Sequence, residues 1–251
     1  MNDTQVANFF WHGRPLSVYE IYCIKSFVKH NWIVNLWTFD SNINAPYNVN
    51  ICDANIFYQI DDIQTFTQRG KQGCIAAFSD AFRYKVLQKY QGWWFDTDCI
   101  CLKDQFEFKT LKENKNIVAG YENGRGDING AVLTFVNSTL SDIALNMMET
   151  KLAEKNRSIG WGEIGPKLIT RLVLENKLVS DILSTEYFYP LHCKHAIDAI
   201  NKDKTESIES ITTNSYVYHC WNEMLTRGGV NKNEMPVEGS FLYKKFKELD
   251  L

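Results

Sequence analysis

The chain has 251 residues with 27 basic and 30 acidic side chains, a net charge of −3 with histidine neutral. Acids and bases are mixed, and no basic stripe exists to follow a phosphate backbone, which excludes nucleic acid as a partner. The 45% apolar and 14% aromatic content suits one continuous core in a single α/β domain, and no stretch approaches the roughly 18 apolar residues of a membrane span.

Val6 to Trp11 is a short apolar run closed by the turn signal His12-Gly13-Arg14-Pro15, and it predicts a buried first strand. Ser17 to Lys29 has the helical period at Val18, Ile21, Tyr22, Ile24 and Val28, and Ile33 to Phe39 is β-branched and aromatic, a second strand. Strand, helix, strand is the opening of a parallel α/β sheet. Residues 40–72 are rich in Asn, Asp and Gln and read as loops with at most one helix. The spacing of Ile75, Phe78, Phe82 and Val86 predicts a helix over Gly73–Tyr90, stopped by Gly92, after which Trp93-Trp94-Phe95 is a strand. Ile117–Tyr121 and Ala131–Val136 are further strands; Leu140–Lys155 and Pro166–Asn176 are helices. Ser215–Cys220 is a last strand before a Gly-Gly turn and a charged tail.

Seven cysteines (Cys23, Cys52, Cys74, Cys99, Cys101, Cys193, Cys220) are scattered with no C-x-x-C pair, which fits reduced, mostly buried thiols. Asn2, Asp3, Thr4 and Gln5 interrupt any apolar run near Met1, so a cytoplasmic protein is expected.

The chemistry concentrates between Ser79 and Asp98. Asp80 and Arg83 are three apart on a helix and share a face. Asp96 and Asp98, two apart at the end of an apolar strand, have carboxylates expected to point the same way. Strand ends of open α/β sheets are where ligands bind, and two carboxylates beside an arginine suit Mg²⁺ or Mn²⁺ bridging phosphate oxygens. An isolated D-x-D is common in surface turns, but three aromatics directly before it are foreign to one.

These residues resemble a known family. Ala76-Ala77-Phe78-Ser79-Asp80-Ala81-Phe82-Arg83-Tyr84, Leu87, Gly92 and Phe95-Asp96-Thr97-Asp98 are similar to the signature of the D-x-D sugar-binding-region glycosyltransferases. That group includes capsule and O-antigen transferases, fungal initiating mannosyltransferases, α1,4-galactosyltransferases and, more distantly, the glucosylating domains of clostridial toxins. Phe9-Phe10-Trp11-His12-Gly13 and His219-Cys220-Trp221 add to the likeness at either end.

The resemblance implies a GT-A fold in one Rossmann-like domain with a mixed sheet. In it, residues 1–115 form the nucleotide-sugar half, and residues 116–251 the acceptor half and site closure. It implies a UDP-sugar donor, a glycan or lipid-linked oligosaccharide acceptor, a Mn²⁺ or Mg²⁺ cofactor and retention of anomeric configuration. By position, Trp11 would stack on uracil, Ser79 and Asp80 would hold nucleoside and sugar hydroxyls, and Arg83 would contact sugar or diphosphate. Trp94 would flank the donor, Asp96 would bridge ribose and metal, and Asp98 would ligate the metal. Asn129 would lie beside the sugar ring, His219 would be a further metal ligand, and Trp221 would donate its indole N–H to the β-phosphate. Gly165-Pro166 matches the family's Thr-Gly-Pro turn only in part, with Ile164 in place of Thr.

Other readings remain open at this level. An aspartate-nucleophile phosphatase also uses D-x-D after an apolar strand, but Ile100 stands where it needs Thr. A glycosidase uses paired carboxylates without the Ser-Asp-x-x-Arg helix, and an inactive sugar- or nucleotide-binding module would keep the site without turnover. Arg125-Gly126-Asp127 reads as a turn, Cys99 and Cys101 as core packing, and His192, Cys193 and His195 as structural rather than zinc-binding. Glu163 is a candidate acceptor contact. Lys244, Lys245 and Lys247 form either a solvated helix or a peripheral contact with the inner membrane surface.

Overall fold

A computed structural model describes residues 4–250. Met1, Asn2 and Asp3, part of the stretch read above as lacking an apolar run, lie outside the described residues, as does Leu251.

The strands are β1 (Val6–Trp11), β2 (Ile33–Thr38), β3 (Val49–Asp53), β4 (Thr67–Gln68), β5 (Lys71–Gln72), β6 (Trp93–Phe95), β7 (Cys99–Cys101), β8 (Ile117–Tyr121), β9 (Ile128–Phe135), β10 (Ser158–Ile159) and β11 (Val217–His219). The helices are α1 (Val18–Lys29), α2 (Ile75–Tyr90), α3 (Gln105–Thr110), α4 (Ser138–Glu154), α5 (Pro166–Glu175), α6 (Thr185–Phe188), α7 (Thr205–Thr212), α8 (Asn222–Arg227) and α9 (Phe241–Glu248). Six strands form the central sheet in the order β3-β2-β1-β6-β9-β8. The first four run parallel, while β9 is antiparallel to both β6 and β8. This is the mixed-sheet α/β architecture expected, and β8 and β9 carry the sheet into the C-terminal half.

The alternation of strand side chains sends neighbours to opposite faces. Phe9, Trp93 and Phe95 enter one core with α1, β7, β11 and α9. Phe10, Trp37 and Trp94 enter the other with α2, α4 and α5. Because α1 and α2 cover opposite faces, the strand order reverses at the β1/β6 boundary, and the carboxyl ends of those two strands open a crevice between them. Asn8, fully buried on β1, pins this boundary. Its amide donates to the carbonyls of Gln91 (3.2 Å) and Trp93 (3.1 Å), and its oxygen accepts from Asn35 (3.2 Å) and Trp37 (3.1 Å). No polar atom of that side chain is left uncompensated.

Helix α2 follows the predicted period and ends as expected. Gly92 has φ +79°, and a Cβ there would lie 2.9 Å from the Val6 carbonyl oxygen, so only glycine returns the chain beside β1 at this point.

The structure departs from the sequence expectation in three places. The 40–72 segment is more ordered than a loop: it holds the edge strand β3, two 3₁₀ turns and the short β4/β5 pair. Its residues pair through backbone while Asn50 and Ile51 stay exposed, so no apolar alternation marks it. Strand β9 begins at Ile128 rather than Ala131 and takes in Asn129 and Gly130. Helices α3, α6, α7 and α8, each eight residues or fewer, are too short to display a period.

At the C-terminus, α9 buries Phe241, Leu242 and Phe246 in the core. Its lysines are paired: Lys244 with Glu209 at 3.0 Å, Lys245 with Glu248 at 3.0 Å and Lys247 with Asp250 at 3.3 Å. Its apolar side is thus turned inward and its charges are matched, the arrangement of a solvated surface helix. Among the described residues no helix is long and apolar enough to cross a membrane.

Candidate active site

A cleft of about 290 Å³ lies at the carboxyl ends of β1 and β6. Trp11 and His12 form one wall, Ser79 of α2 another, and Trp94, Asp96 and Asp98 the floor. Trp11 fixes its ring by donating its indole N–H to the Arg14 carbonyl at 2.6 Å, which leaves its face for stacking. Burial holds the His12 imidazole below its ordinary pKa, favouring the neutral form.

Asp96 and Asp98 sit in the turn between β6 and β7, not in a strand, and their carboxylates do not share surroundings. That corrects the expectation of a common strand face. The Asp96 Oδ1 accepts from Arg83 Nη2 (3.0 Å) and from the Trp94 indole (2.8 Å). Its backbone N–H is held by the Ala131 carbonyl at 2.9 Å. Arg83, 3% exposed, also pairs with Asp80 Oδ1 at 3.0 Å and lies over the Trp94 ring at 5.3 Å. Burial opposes the guanidinium charge, but the carboxylates of Asp96 and Asp80 outweigh it and keep Arg83 above its ordinary range. For Asp80 the balance goes the other way. Burial pushes its carboxyl from 3.8 up to about 6, with Arg83 offsetting only part of the effect. Two glycines close over this pair: a Cβ on Gly130 would strike the Arg83 guanidinium, and one on Gly165 would strike the Asp80 carboxylate. Asp80 therefore lies behind the cleft wall, enclosed by Gly165, rather than lining it as Ser79 does.

Asp98 faces the C-terminal segment. Its Oδ1 lies 3.3 Å from His219 Nε2, its Oδ2 accepts from the Asn222 backbone N–H at 2.9 Å, and its carbonyl accepts from Cys220 N–H at 2.8 Å. Antiparallel pairing of β11 with β7 sets His219 opposite Cys99 and so brings the imidazole to the turn. Donor atoms of Asp98, Cys99 and His219 all lie within 4.8 Å of one another. Buried His219 Nδ1 has no hydrogen-bond partner among the described residues. A carboxylate oxygen converging with an imidazole nitrogen beside Asp96 is a donor set that fits a divalent cation.

Two expected contacts are placed elsewhere. The Trp221 indole N–H is already donated to the Leu191 carbonyl at 2.8 Å, so it is not a free donor to a phosphate. The residue instead packs its ring 4.1 Å from that of His219 and starts α8 from a left-handed φ of 57°. Asn129 gives its amide to Glu122 Oε2 at 2.9 Å and accepts from the Ala131 N–H at 2.7 Å, standing one residue from Gly130 and outside the main cleft. Glu163 folds back to cap Gly160 N–H at 2.6 Å. His195 pairs with Asp198 (3.5 Å), and His192 caps Lys194 N–H (3.2 Å), so neither joins His219 in a zinc site.

The sequence reading missed Glu20, Asn222 and Lys232, which form the far side of the cleft. Glu20 is 1% exposed. It caps α1 through Ser17, accepts from the Asn222 amide at 2.7 Å and pairs with Lys232 at 2.5 Å. Ser17-Val18-Tyr19-Glu20 was legible as a capping box; its partners, about two hundred residues away, were not.

A mixed sheet whose parallel part switches at β1/β6, with a D-x-D turn at the switch point, is the GT-A fold. Residues 17–118 match the glycosyltransferase sugar-binding region containing the DXD motif, and residues 139–246 match the alpha 1,4-glycosyltransferase conserved region. The chain belongs to the DXD-motif glycosyltransferases that these two regions describe. The lactosylceramide 4-alpha-galactosyltransferase of Rattus norvegicus is 26% identical over 160 residues, which is 59% of this chain and 41% of that protein. The chain thus spans about two fifths of that relative's length. Among solved structures, the glycosyltransferase GlyE of Streptococcus pneumoniae TIGR4 superposes with TM-score 0.53 at 12% identity, covering 99% of this chain and 60% of GlyE. The WbbM bifunctional glycosyltransferase gives 0.51 at 13%, covering 99% and 50%. At these identities the two share the fold. Membership of this family removes the phosphatase and glycosidase readings, and Ile100 is accounted for as a strand residue of β7 paired with Tyr218.

Proposed function

We propose that the chain is a retaining hexosyltransferase that moves a hexose from a UDP-sugar to a glycan acceptor. Galactose is the first candidate, on the printed activity of the rat relative, with glucose and N-acetylhexosamine next. The acceptor is a lipid-linked oligosaccharide in surface-polysaccharide synthesis on the cytoplasmic side of a membrane. The observation that carries this reading is the convergence of Asp98 and His219 beside the cleft, where a second carboxylate of the D-x-D turn, Asp96, is fixed by buried Arg83.

Asp98 and His219 would hold the divalent ion, with Asp96 beside it, and the imidazole nitrogen favours Mn²⁺ over Mg²⁺. When bound, the ion supplies charge neutralisation for the diphosphate leaving group. The protein's own part is to bind and orient. The Trp11 face stacks on the base, and Ser79 offers a hydroxyl to the nucleoside. Arg83, locked between two carboxylates and a tryptophan, presents a fixed positive potential where negative charge grows as the C1–O bond breaks. Among the cleft carboxylates, Asp96 and Asp98 are engaged by Arg83, Trp94, His219 and Asn222. Attack by the acceptor hydroxyl on the face the diphosphate leaves, with the departing phosphate taking its proton, needs no protein nucleophile.

Incubation with UDP-galactose, UDP-glucose and UDP-N-acetylglucosamine, with and without Mn²⁺, tests this through release of free UDP. Slow, Mn²⁺-dependent hydrolysis of one donor is expected, reduced at least about 100-fold by Asp98→Asn. Absence of metal-dependent release from any donor would overturn it.

A further inference from the structure

Between the β8–β9 connection and α5 lies a second cavity of about 450 Å³, within the range of small-ligand pockets. Glu122 and Asp127 come to it from the β8–β9 connection, Trp161 and Pro166 from the loop entering α5, and Thr170 and Leu174 from α5 itself. Trp161 is 53% exposed and Leu174 61%. An indole left in water at the mouth of a cavity is unusual in a chain whose Trp32, Trp37, Trp93 and Trp94 are all buried. Its flat apolar face stands beside carboxylates with lone pairs to spare. Arg171, on the same rim, is already paired with Glu175 at 2.7 Å.

This combination selects a neutral pyranose. One face of such a ring is a row of C–H groups that packs on an indole, and its rim is hydroxyls that donate to carboxylates. The lining holds three carboxylates, Glu122, Asp127 and Glu175, against the two cations Lys167 and Arg171, so its balance opposes an anionic ligand. The cavity is also tied to the reaction centre by two short connections. Glu122 Oε2 accepts from Asn129, whose neighbour Gly130 packs on Arg83. Pro166 follows Gly165, which packs on Asp80.

We propose that this cavity is a subsite for a neutral pyranose residue of the acceptor glycan, with Trp161 as its stacking platform and Glu122 and Asp127 as hydroxyl acceptors. The assignment rests on the glycosyltransferase reading. It also answers where the sugar-binding surface of the C-terminal half lies: at Trp161, two residues before Glu163, whose carboxylate turns back on its own loop.

The test uses the full chain and saturation-transfer NMR with lactose, N-acetyllactosamine, cellobiose and maltose as probes. At least one disaccharide binds, Trp161→Ala weakens it about ten-fold or more, and Trp161→Phe keeps most of the affinity. Leu174→Asp, an exposed residue in the lining of the same cavity, gives a comparable loss and guards against a folding defect at Trp161. Mn²⁺-dependent UDP release from donor alone stays within about two-fold in all three variants, because none touches the donor cleft. Failure of every disaccharide to bind, or equal binding by the wild type and Trp161→Ala, would overturn the subsite. Disaccharide binding without any donor hydrolysis would instead count against the transferase reading and leave the subsite standing.

Discussion

Asp96 and Asp98 are two residues apart and live in different parts of the molecule. Asp96 looks toward the α2 side, where Arg83, Trp94 and, through Arg83, Asp80 form one buried network. Asp98 looks toward the C-terminal segment, where His219 and the backbone of Asn222 hold it. The first environment is a charge cluster built on buried Arg83, which joins enclosed Asp80 to Asp96 at the cleft floor. The second is a convergence of donor atoms, Asp98 Oδ1 and His219 Nε2, 3.3 Å apart. The D-x-D turn thus joins a structural charge relay to a candidate metal seat, and the two aspartates should respond differently to perturbation.

The largest effect is expected on the Asp96 side. Arg83→Met leaves Asp80, enclosed under Gly165, and the partly exposed Asp96 without their common partner, at a cost of about 3 kcal/mol, most of it from Asp80. Urea denaturation should show that loss as a shift of the midpoint with an unchanged slope. A loss under about 1 kcal/mol would mean that the cluster is not the unit described.

The pH dependence of the same cluster is next. Asp80's folded value, about 6, lies above its ordinary 3.8. Its contribution to stability is therefore fully present below about pH 4 and is lost as pH rises through 6. Wild type should lose ground to Asp80→Asn over that window, by up to about 3 kcal/mol, and the difference should level off above it. Melting curves of both proteins between pH 3.5 and 7.5 read this directly; a difference that does not change with pH would place Asp80 in a more solvated setting.

The smallest effect belongs to the Asp98 side. Asn222→Ala removes the amide donated to Glu20 but keeps the backbone N–H donated to Asp98. About 1–2 kcal/mol of stability should be lost, with donor hydrolysis falling by less than about ten-fold. A collapse of activity comparable to that of Asp98→Asn would show that the side chain, not the backbone, orients Asp98.

Much of this was readable in the residues and some was not. Strong periods and a stop glycine announced β1, α1, α2 and β6, and these elements carry Trp11, Ser79, Asp80, Arg83, Trp94 and the D-x-D turn. Positions within one helix face or one strand–turn unit follow from local geometry, which is why Arg83 beside Asp80 was expected. Long-range pairings were not readable: Asn222 and Lys232 reach Glu20 only through the fold of the C-terminal third, built from short helices with no visible period. The role expected for Trp221 met the same limit. Its proximity to His219 was legible, but the Leu191 carbonyl that takes its indole N–H was not. The common face assumed for Asp96 and Asp98 failed because the strand ends at Phe95 and the turn redirects each carboxylate.

The central claim is that Asp98 and His219 form the metal seat for a nucleoside diphosphate, and calorimetric titration of UDP with and without Mn²⁺ tests it most directly. Wild type should bind UDP measurably only with Mn²⁺, and Asp98→Asn and His219→Ala should each weaken that binding by at least about ten-fold. Trp221→Phe should leave it unchanged. Equal UDP affinity in EDTA and in Mn²⁺, or wild-type affinity in Asp98→Asn, would contradict the account.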